Sequence, residues 1–177
     1  NLTAFGCDDM KLGISAAGVL LQYALDTQKN SLPHIQQITT ELQSSKVILD
    51  PTTRKNLEID QAINGGTKNT LFEVLNTTGS SMGSRLLKRW LNEPSKDLKK
   101  LVCRQRSIAS LQDNLLYDRV NQVLRYIGDM ERILTRVALR SARPRDITRL
   151  TMSLEQLPQI QKLLCEITDE NLLKIKN

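Results

Sequence analysis

Two glycine-containing segments come closest to a known catalytic pattern, the loop that binds nucleotide phosphates. Gly13 and Gly18 have the glycine spacing of that loop, but Val19 and Leu20 follow them. The loop needs a lysine at the first of these positions to pair with phosphate and a hydroxyl at the second to hold magnesium. The segment at 79–83 also lacks the pattern. We therefore expect no nucleotide and no other cofactor to bind this chain.

The side chains that could serve as nucleophile, base or metal ligand are sparse. His34 is the only histidine, and the three cysteines, Cys7, Cys103 and Cys165, lie far apart without a C-x-x-C pair. This pattern excludes the usual zinc sites and is not typical of a disulfide framework. We expect no enzymatic activity in this chain and a reducing, cytoplasmic environment.

Several arginines recur at a spacing that brings them together. Arg132, Arg136 and Arg140 stand four residues apart and would share one helix face. Such a face can neutralise nucleic-acid phosphates, or it can pair with carboxylates of neighbouring elements such as Asp129 and Asp146. We favour the ion pairs. The same two interpretations apply to the remaining candidate contact residues, which are Arg85, Arg89, Arg143 and Arg145.

The chain carries a net charge of +6, which is compatible with an acidic partner but does not establish one. Aromatic residues make up only 3% of the chain, which disfavours a protein that stacks single-stranded bases on aromatic rings. Trp90 is the only tryptophan and shares an apolar helix face with Leu86, Leu87 and Leu91. We predict that it anchors the core. No segment is long and apolar enough to span a membrane.

Apolar periodicity predicts a mainly α, multi-helical fold, with a small antiparallel β pair over about residues 35–49. Asp50 and Ser95 are predicted to cap helices, Asp129 is predicted to begin one, and the chain is predicted to be helical from Ser80 onward. The spacing also places Leu98, Ile108, Ile147 and Leu154, among others, on the inward faces of their helices. Pro144 is predicted to begin a helix, and Pro158 to kink or split it, so these two prolines are candidate hinges.

Five segments together resemble one protein family. They are DPTTRKNLEI at 50–59, TLFEVLNTT at 70–78, MGSRLLKRWL at 82–91, GDMERI at 128–133 and ARPRD at 142–146. In this order and spacing they are similar to the core domain of the MutS family of DNA mismatch-repair proteins, and to its bacterial members more than to the eukaryotic ones. The resemblance implies a core domain over 1–142 and the start of the lever helices over 143–177.

The resemblance also implies that this chain is an internal piece of a larger, multidomain protein. Family members are dimeric, DNA-dependent ATPases that use ATP and magnesium, bind mismatched duplex DNA and act with a MutL-type partner. The family's mismatch-reading Phe-x-Glu motif, DNA clamp and ATPase match nothing in this chain, so no catalytic residue is carried over. We expect the chain to couple those parts mechanically, and we interpret both of its ends as cuts in a longer polypeptide.

Two other functions remain open at the level of sequence. The chain could be an autonomous basic helical module that binds nucleic acid, or a scaffold for protein interactions. Binding of DNA by this chain alone, weakened by salt, would favour the first of these.

Overall fold

The computed structural model describes residues 7, 9–28, 35, 37–40, 45–165, 167, 169 and 171–173. Within them, the α-helices in chain order are α1 (Lys11–Gln28), α2 (Pro51–Asn56), α3 (Leu71–Leu75), α4 (Ser81–Asn92), α5 (Leu98–Gln112), α6 (Leu116–Leu124), α7 (Met130–Ala138), α8 (Pro144–Glu155) and α9 (Leu157–Leu164). A short 3-10 turn, Asp113–Leu115, connects α5 to α6. The mainly helical fold predicted from the sequence is confirmed.

Short polar side chains begin most of these helices. The capping side chain accepts a hydrogen bond from the backbone N–H three residues later, which satisfies a donor that the helix itself leaves without a partner. The residues that cap in this way are Asp50, Thr70, Ser80, Asp97 and Asp129. The predicted cap at Asp50 is confirmed, and so are the helices predicted to begin at Ser80 and Asp129.

The prediction that Ser95 caps α5 is wrong. Asp97 is the cap, and the Ser95 hydroxyl accepts a hydrogen bond from the Asp97 N–H at 3.2 Å. The backbone of Ser95 is engaged elsewhere, because it forms an isolated antiparallel bridge with Lys46. The turn between α4 and α5 therefore binds the segment that leads into α2.

The predicted antiparallel pair over residues 35–49 is not confirmed. The described residues of this range form no strand, and residues 36 and 41–44 lie outside the described part of the chain. The backbone around Lys46 pairs instead with the α4–α5 turn: the Val47 N–H donates to Pro94 at 2.7 Å, and the Lys96 N–H donates to Ser45 at 2.9 Å. Polar backbone groups used in this way are not available for a local hairpin.

The main apolar cluster lies between α6, α9 and the residues that follow α9. Its buried members are Leu116, Val123, Leu163, Leu164 and Ile167. Partly buried residues from α5, α6 and α9, and Leu172, complete it. A second contact joins α7 to α8, and Ile133 of α7 is only 2% exposed.

The two prolines have the predicted effect on the backbone. Pro144 is the first residue of α8, a position whose N–H would have no helical partner. Gln156 separates α8 from α9, and Pro158 is the second residue of α9. The expected split at Pro158 is therefore confirmed, because a proline there cannot donate the hydrogen bond that would continue α8.

Several apolar residues predicted to face inward are exposed. Leu98 of α5 is 72% exposed, and Ile108, Ile147 and Leu154 are also exposed. Periodicity identifies an apolar helix face but not what covers it, and the described helices pack against other faces of α5 and α8. None of the helices in the described part of the chain is long and apolar enough to cross a membrane.

Candidate functional site: two arginine clusters

Arg85 of α4 binds the residue that caps α7. Its Nη1 lies 2.6 Å from Asp129 Oδ2, and its Nη2 lies 2.8 Å from Asp129 Oδ1. Nη2 also donates to Glu131 Oε2 at 2.6 Å. A guanidinium that binds a carboxylate through two parallel hydrogen bonds fixes orientation as well as distance. Arg85 therefore fixes the beginning of α7 against α4.

Electrostatics keep this contact charged. The hydrogen bonds from Arg85 lower the pKa of Asp129 to about 2, against a smaller opposing effect of partial burial. The Arg132 N–H and the nearby Arg132 guanidinium, whose Nε lies 3.4 Å from Asp129 Oδ2, act in the same direction. Asp129 and Glu131 in turn raise the pKa of Arg85.

A second two-point contact joins the end of α7 to the beginning of α8. Arg136 donates from Nε to Asp146 Oδ2 at 3.1 Å and from Nη2 to Asp146 Oδ1 at 2.9 Å. Asp146 Oδ2 also accepts the Arg143 N–H at 3.0 Å. This N–H and the Arg136 charge lower the pKa of Asp146. The interpretation of the arginine stripe as ion pairs between elements is confirmed at Arg136.

A buried serine adds a third contact to the same region. The Ser153 hydroxyl of α8 donates to the Arg149 carbonyl at 2.7 Å and accepts the Gly128 N–H at 2.9 Å. Ser153 is fully buried, and the Arg149 side chain covers Gly128 so closely that a Cβ there would lie 2.9 Å from Arg149 Cγ. Ser153 was not predicted from the sequence, because a serine inside a helix gives no signal that its hydroxyl is buried.

The arginine stripe is shorter than predicted, because α7 ends before Arg140. Arg140 has a φ of 53°, and the Ser141 N–H bonds back to the Arg136 carbonyl at 2.9 Å, as in a Schellman-type helix end. Within the described residues, no carboxylate lies within salt-bridge distance of the exposed Arg140, Arg143 or Arg145 side chains. Phosphate or interdomain contacts by these three residues stay a prediction.

The second cluster surrounds Trp90, and there the prediction of a core anchor is wrong. Trp90 is 42% exposed, and the Arg104 guanidinium of α5 stacks 3.7 Å from the centre of its ring. Glu93, one turn beyond Arg89, lies 2.5 Å from Lys46 Nζ and 3.7 Å from Arg89 Nε. Trp90 lies at the edge of α4, where no described helix covers the whole ring.

The glycine pair considered as a phosphate loop lies inside a helix. Gly13 and Gly18 both belong to α1, where backbone N–H groups bond along the helix and cannot surround a phosphate. The described residues also contain no group of three or more His, Cys, Asp or Glu side chains placed to hold a metal ion. Gly13 and Gly18 in α1 therefore do not form a loop for the phosphates of ATP.

The helices that these arginine contacts join lie in a region of the chain that matches a known protein family. The model of MutS domain III matches residues 52–176, which is more than half of the chain. The chain belongs to the MutS family. The matched region is the family's non-catalytic core segment, so the sequence resemblance is confirmed. Both arginine clusters lie inside this MutS core, and DNA binding and dimerisation are general properties of the family.

Proposed function

We propose that this chain is the central core and lever segment of a DNA mismatch-recognition ATPase, where it couples the ATPase domain to the DNA clamp and to the mismatch-binding domain. The full-length protein would then be a DNA-dependent ATPase that uses ATP and magnesium in the cytoplasm. It would bind mismatched duplex DNA as a homodimer and act with a MutL-type partner. The division into a core at 1–142 and lever helices from 143 belongs to this proposal.

The observation that supports coupling is the attachment of α7 at both ends. Arg85 binds the first turn of α7 to α4, and Arg136 binds its last turn to Asp146 in α8. Two-point contacts of this kind resist rotation, and packed helices deform little. A displacement of α4 is therefore passed through α7 to α8.

Coupling also requires two arrangements that bind ATP and DNA with different affinities. The candidate positions for a change of angle are the α7–α8 junction at Pro144 and the break between α8 and α9 near Pro158. Pro144 fixes its own φ and holds Arg143 in an extended conformation, with a ψ of 157°. The angle between α7 and α8 thus depends on Pro144 together with the Arg136–Asp146 contact.

The test is made in the full-length protein with the double change Pro144→Gly and Asp146→Lys. The first change frees the junction, and the second replaces the ion pair with repulsion and removes the acceptor of the Arg143 N–H. We expect ATP hydrolysis and mismatch binding to persist, while ATP no longer accelerates release of mismatched DNA. Stopped-flow dissociation with and without ATP, beside steady-state ATPase rates, measures this.

Glu155→Gln is the control, because Glu155 belongs to the same helix α8, is exposed and forms no ion pair with the described residues. It should leave the response to ATP unchanged. A folded double variant whose DNA release still responds to ATP as in the wild type would exclude the α7–α8 junction from the transmission path. The break near Pro158 would then be the next candidate.

A further inference from the structure

We propose that Trp90, Arg104 and Lys100 form a docking site for an acidic peptide segment of a partner protein, recognised by a carboxylate that stands next to an apolar side chain. The proposal concerns an interaction surface that the coupling role does not require. Trp90 is exposed, although folding alone would be expected to bury most of so large an apolar side chain.

The site is an open cavity of about 430 Å3 between α4, α5 and the segment at 45–46. Leu86 and Trp90 provide an apolar wall on α4. Lys100 and Arg104 stand one helical turn apart on α5 and line the same cavity. Apolar surface and positive charge therefore meet in one depression.

Arg104 supplies N–H donors with which a carboxylate could bind. Its guanidinium stacks on the Trp90 ring, and stacking occupies the face of the planar group while the N–H donors lie in its plane. No carboxylate of the described residues lies within salt-bridge distance of Arg104 or Lys100. The donor fork of Arg104 is thus held in place by a neighbour that does not compete for its hydrogen bonds.

The charge of the cavity favours an anion. Among the described residues, its lining contains the four cations Lys46, Arg89, Lys100 and Arg104 and the carboxylate of Glu93. Glu93 already lies within ion-pair distance of Lys46 and Arg89. Glu93 forms no ion pair with Arg104 or Lys100, so a carboxylate of a bound peptide could pair with these two cations.

An acidic peptide fits this site better than a nucleic acid strand. Proteins that bind single strands use several aromatic platforms along a groove, whereas this cavity contains one ring with Arg104 on it. A short cavity can accept one carboxylate and one apolar side chain, which is the size of two neighbouring residues of a peptide. Tryptophan and arginine are also the residue types most enriched where protein interfaces concentrate their binding energy.

Trp90 provides the measurement, because it is the only tryptophan of the chain and its fluorescence reports on the site. The 177-residue chain is titrated with a synthetic peptide of repeated Glu-Leu units, with Gln-Leu and Glu-Ser counterparts and with a single-stranded oligothymidylate. We expect saturable changes in emission with the Glu-Leu peptide and at least tenfold weaker binding of the other three probes.

Arg104→Gln should weaken binding of the Glu-Leu peptide about tenfold, since hydrogen bonds to a charged group are lost. Lys100→Gln should weaken it less, and calorimetry on both variants keeps the result independent of the fluorescence of Trp90. Lys99→Gln is the matched control: it removes the same charge from the same exposed helix turn but does not line the cavity.

Three results would overturn the proposal. One is the absence of saturable binding of the Glu-Leu peptide. Another is equal or tighter binding of the Gln-Leu peptide or of oligothymidylate, which would show that the carboxylate is not what the site recognises. The third is an equal loss of affinity in Lys99→Gln and Arg104→Gln, which would reduce the effect to the net charge of the helix.

Discussion

Arg85 and Arg136 of the α7 region and Arg104 of the Trp90 region all belong to helices, but they have different partners. Arg85 and Arg136 each face a carboxylate that takes two of their N–H donors. Arg104 faces an aromatic ring that takes none of its in-plane donors. The partner, and not the residue type, determines whether an arginine joins helices or remains able to bind another molecule.

Because of this difference, the α7 region should contribute more to the stability of the fold than the Trp90 region. Around α7, the ion pairs surround buried contacts at Ile133 and Ser153. Around Trp90, the aromatic ring and its arginine are both partly open to solvent, where such contacts contribute little. Substitutions in the α7 region should therefore lower the free energy of unfolding more than substitutions around Trp90.

The largest expected effect is at Ile133. Ile133→Ala removes a side chain of α7 that is only 2% exposed, and we expect a loss of ~2–5 kcal/mol in the free energy of unfolding. Leu134→Ala is the matched control, because Leu134 is the next residue of the same helix and is 53% exposed. Urea denaturation followed by circular dichroism measures both. Equal losses would show that α7 does not pack against α8 as described.

The next effect is at Asp129, and it depends on pH. Asp129→Asn keeps a side chain able to cap α7 but removes the charge that binds Arg85, and we expect a loss of ~1–2 kcal/mol at neutral pH. Because folding lowers the pKa of Asp129 to about 2, the wild type gains stability above the ordinary carboxyl pKa. That gain is lost as the pH falls through about 2.

Stability measured from pH 7 downward should therefore show the wild type and Asp129→Asn converging in strong acid. Glu155→Gln serves as the control, since Glu155 is exposed and forms no ion pair with the described residues. Its stability should differ little from that of the wild type throughout. A gap between wild type and Asp129→Asn that stays constant down to pH 2 would contradict the role of the ionised carboxylate.

The smallest effects are expected at the Trp90 site. Arg104→Gln removes a stacking contact near the surface, which should cost ~0.5–1 kcal/mol. Trp90→Ala should cost less than the ~3–5 kcal/mol typical of a buried tryptophan, because the side chain is 42% exposed. Denaturant midpoints measure both, with Lys99→Gln as the variant that should not change. If Trp90→Ala lowered the free energy of unfolding as much as Ile133→Ala, Trp90 would have to be part of the core.

The candidate site could be predicted only in part. Arg136 and Asp146 are ten residues apart, and the sequence analysis named Asp146 among the carboxylates that could pair with the arginine stripe. Arg85 and Asp129 are separated by 44 residues, and no local pattern indicated that they meet. Arg104 was not singled out at all, since a stacked arginine on a helix surface has no signature of its own in the sequence.

The sequence by itself determined the features that depend only on residues close together along the chain. The caps at Asp50, Ser80 and Asp129 and the breaks at Pro144 and Pro158 follow from hydrogen bonds that a residue makes, or cannot make, within one helical turn. The membership in the MutS family likewise rests on the order and spacing of residues.

Only the tertiary structure decided which apolar faces are covered and which backbone groups pair at a distance. Trp90 and Leu98 lie on apolar helix faces but are exposed, because burial depends on the element that packs opposite. Lys46 forms a bridge with Ser95, which is distant along the chain, because an extended segment bonds to a backbone edge that the fold brings beside it. Helix ends are set by hydrogen bonds between residues close together in the sequence, whereas burial and backbone pairing at a distance depend on how the helices pack against one another.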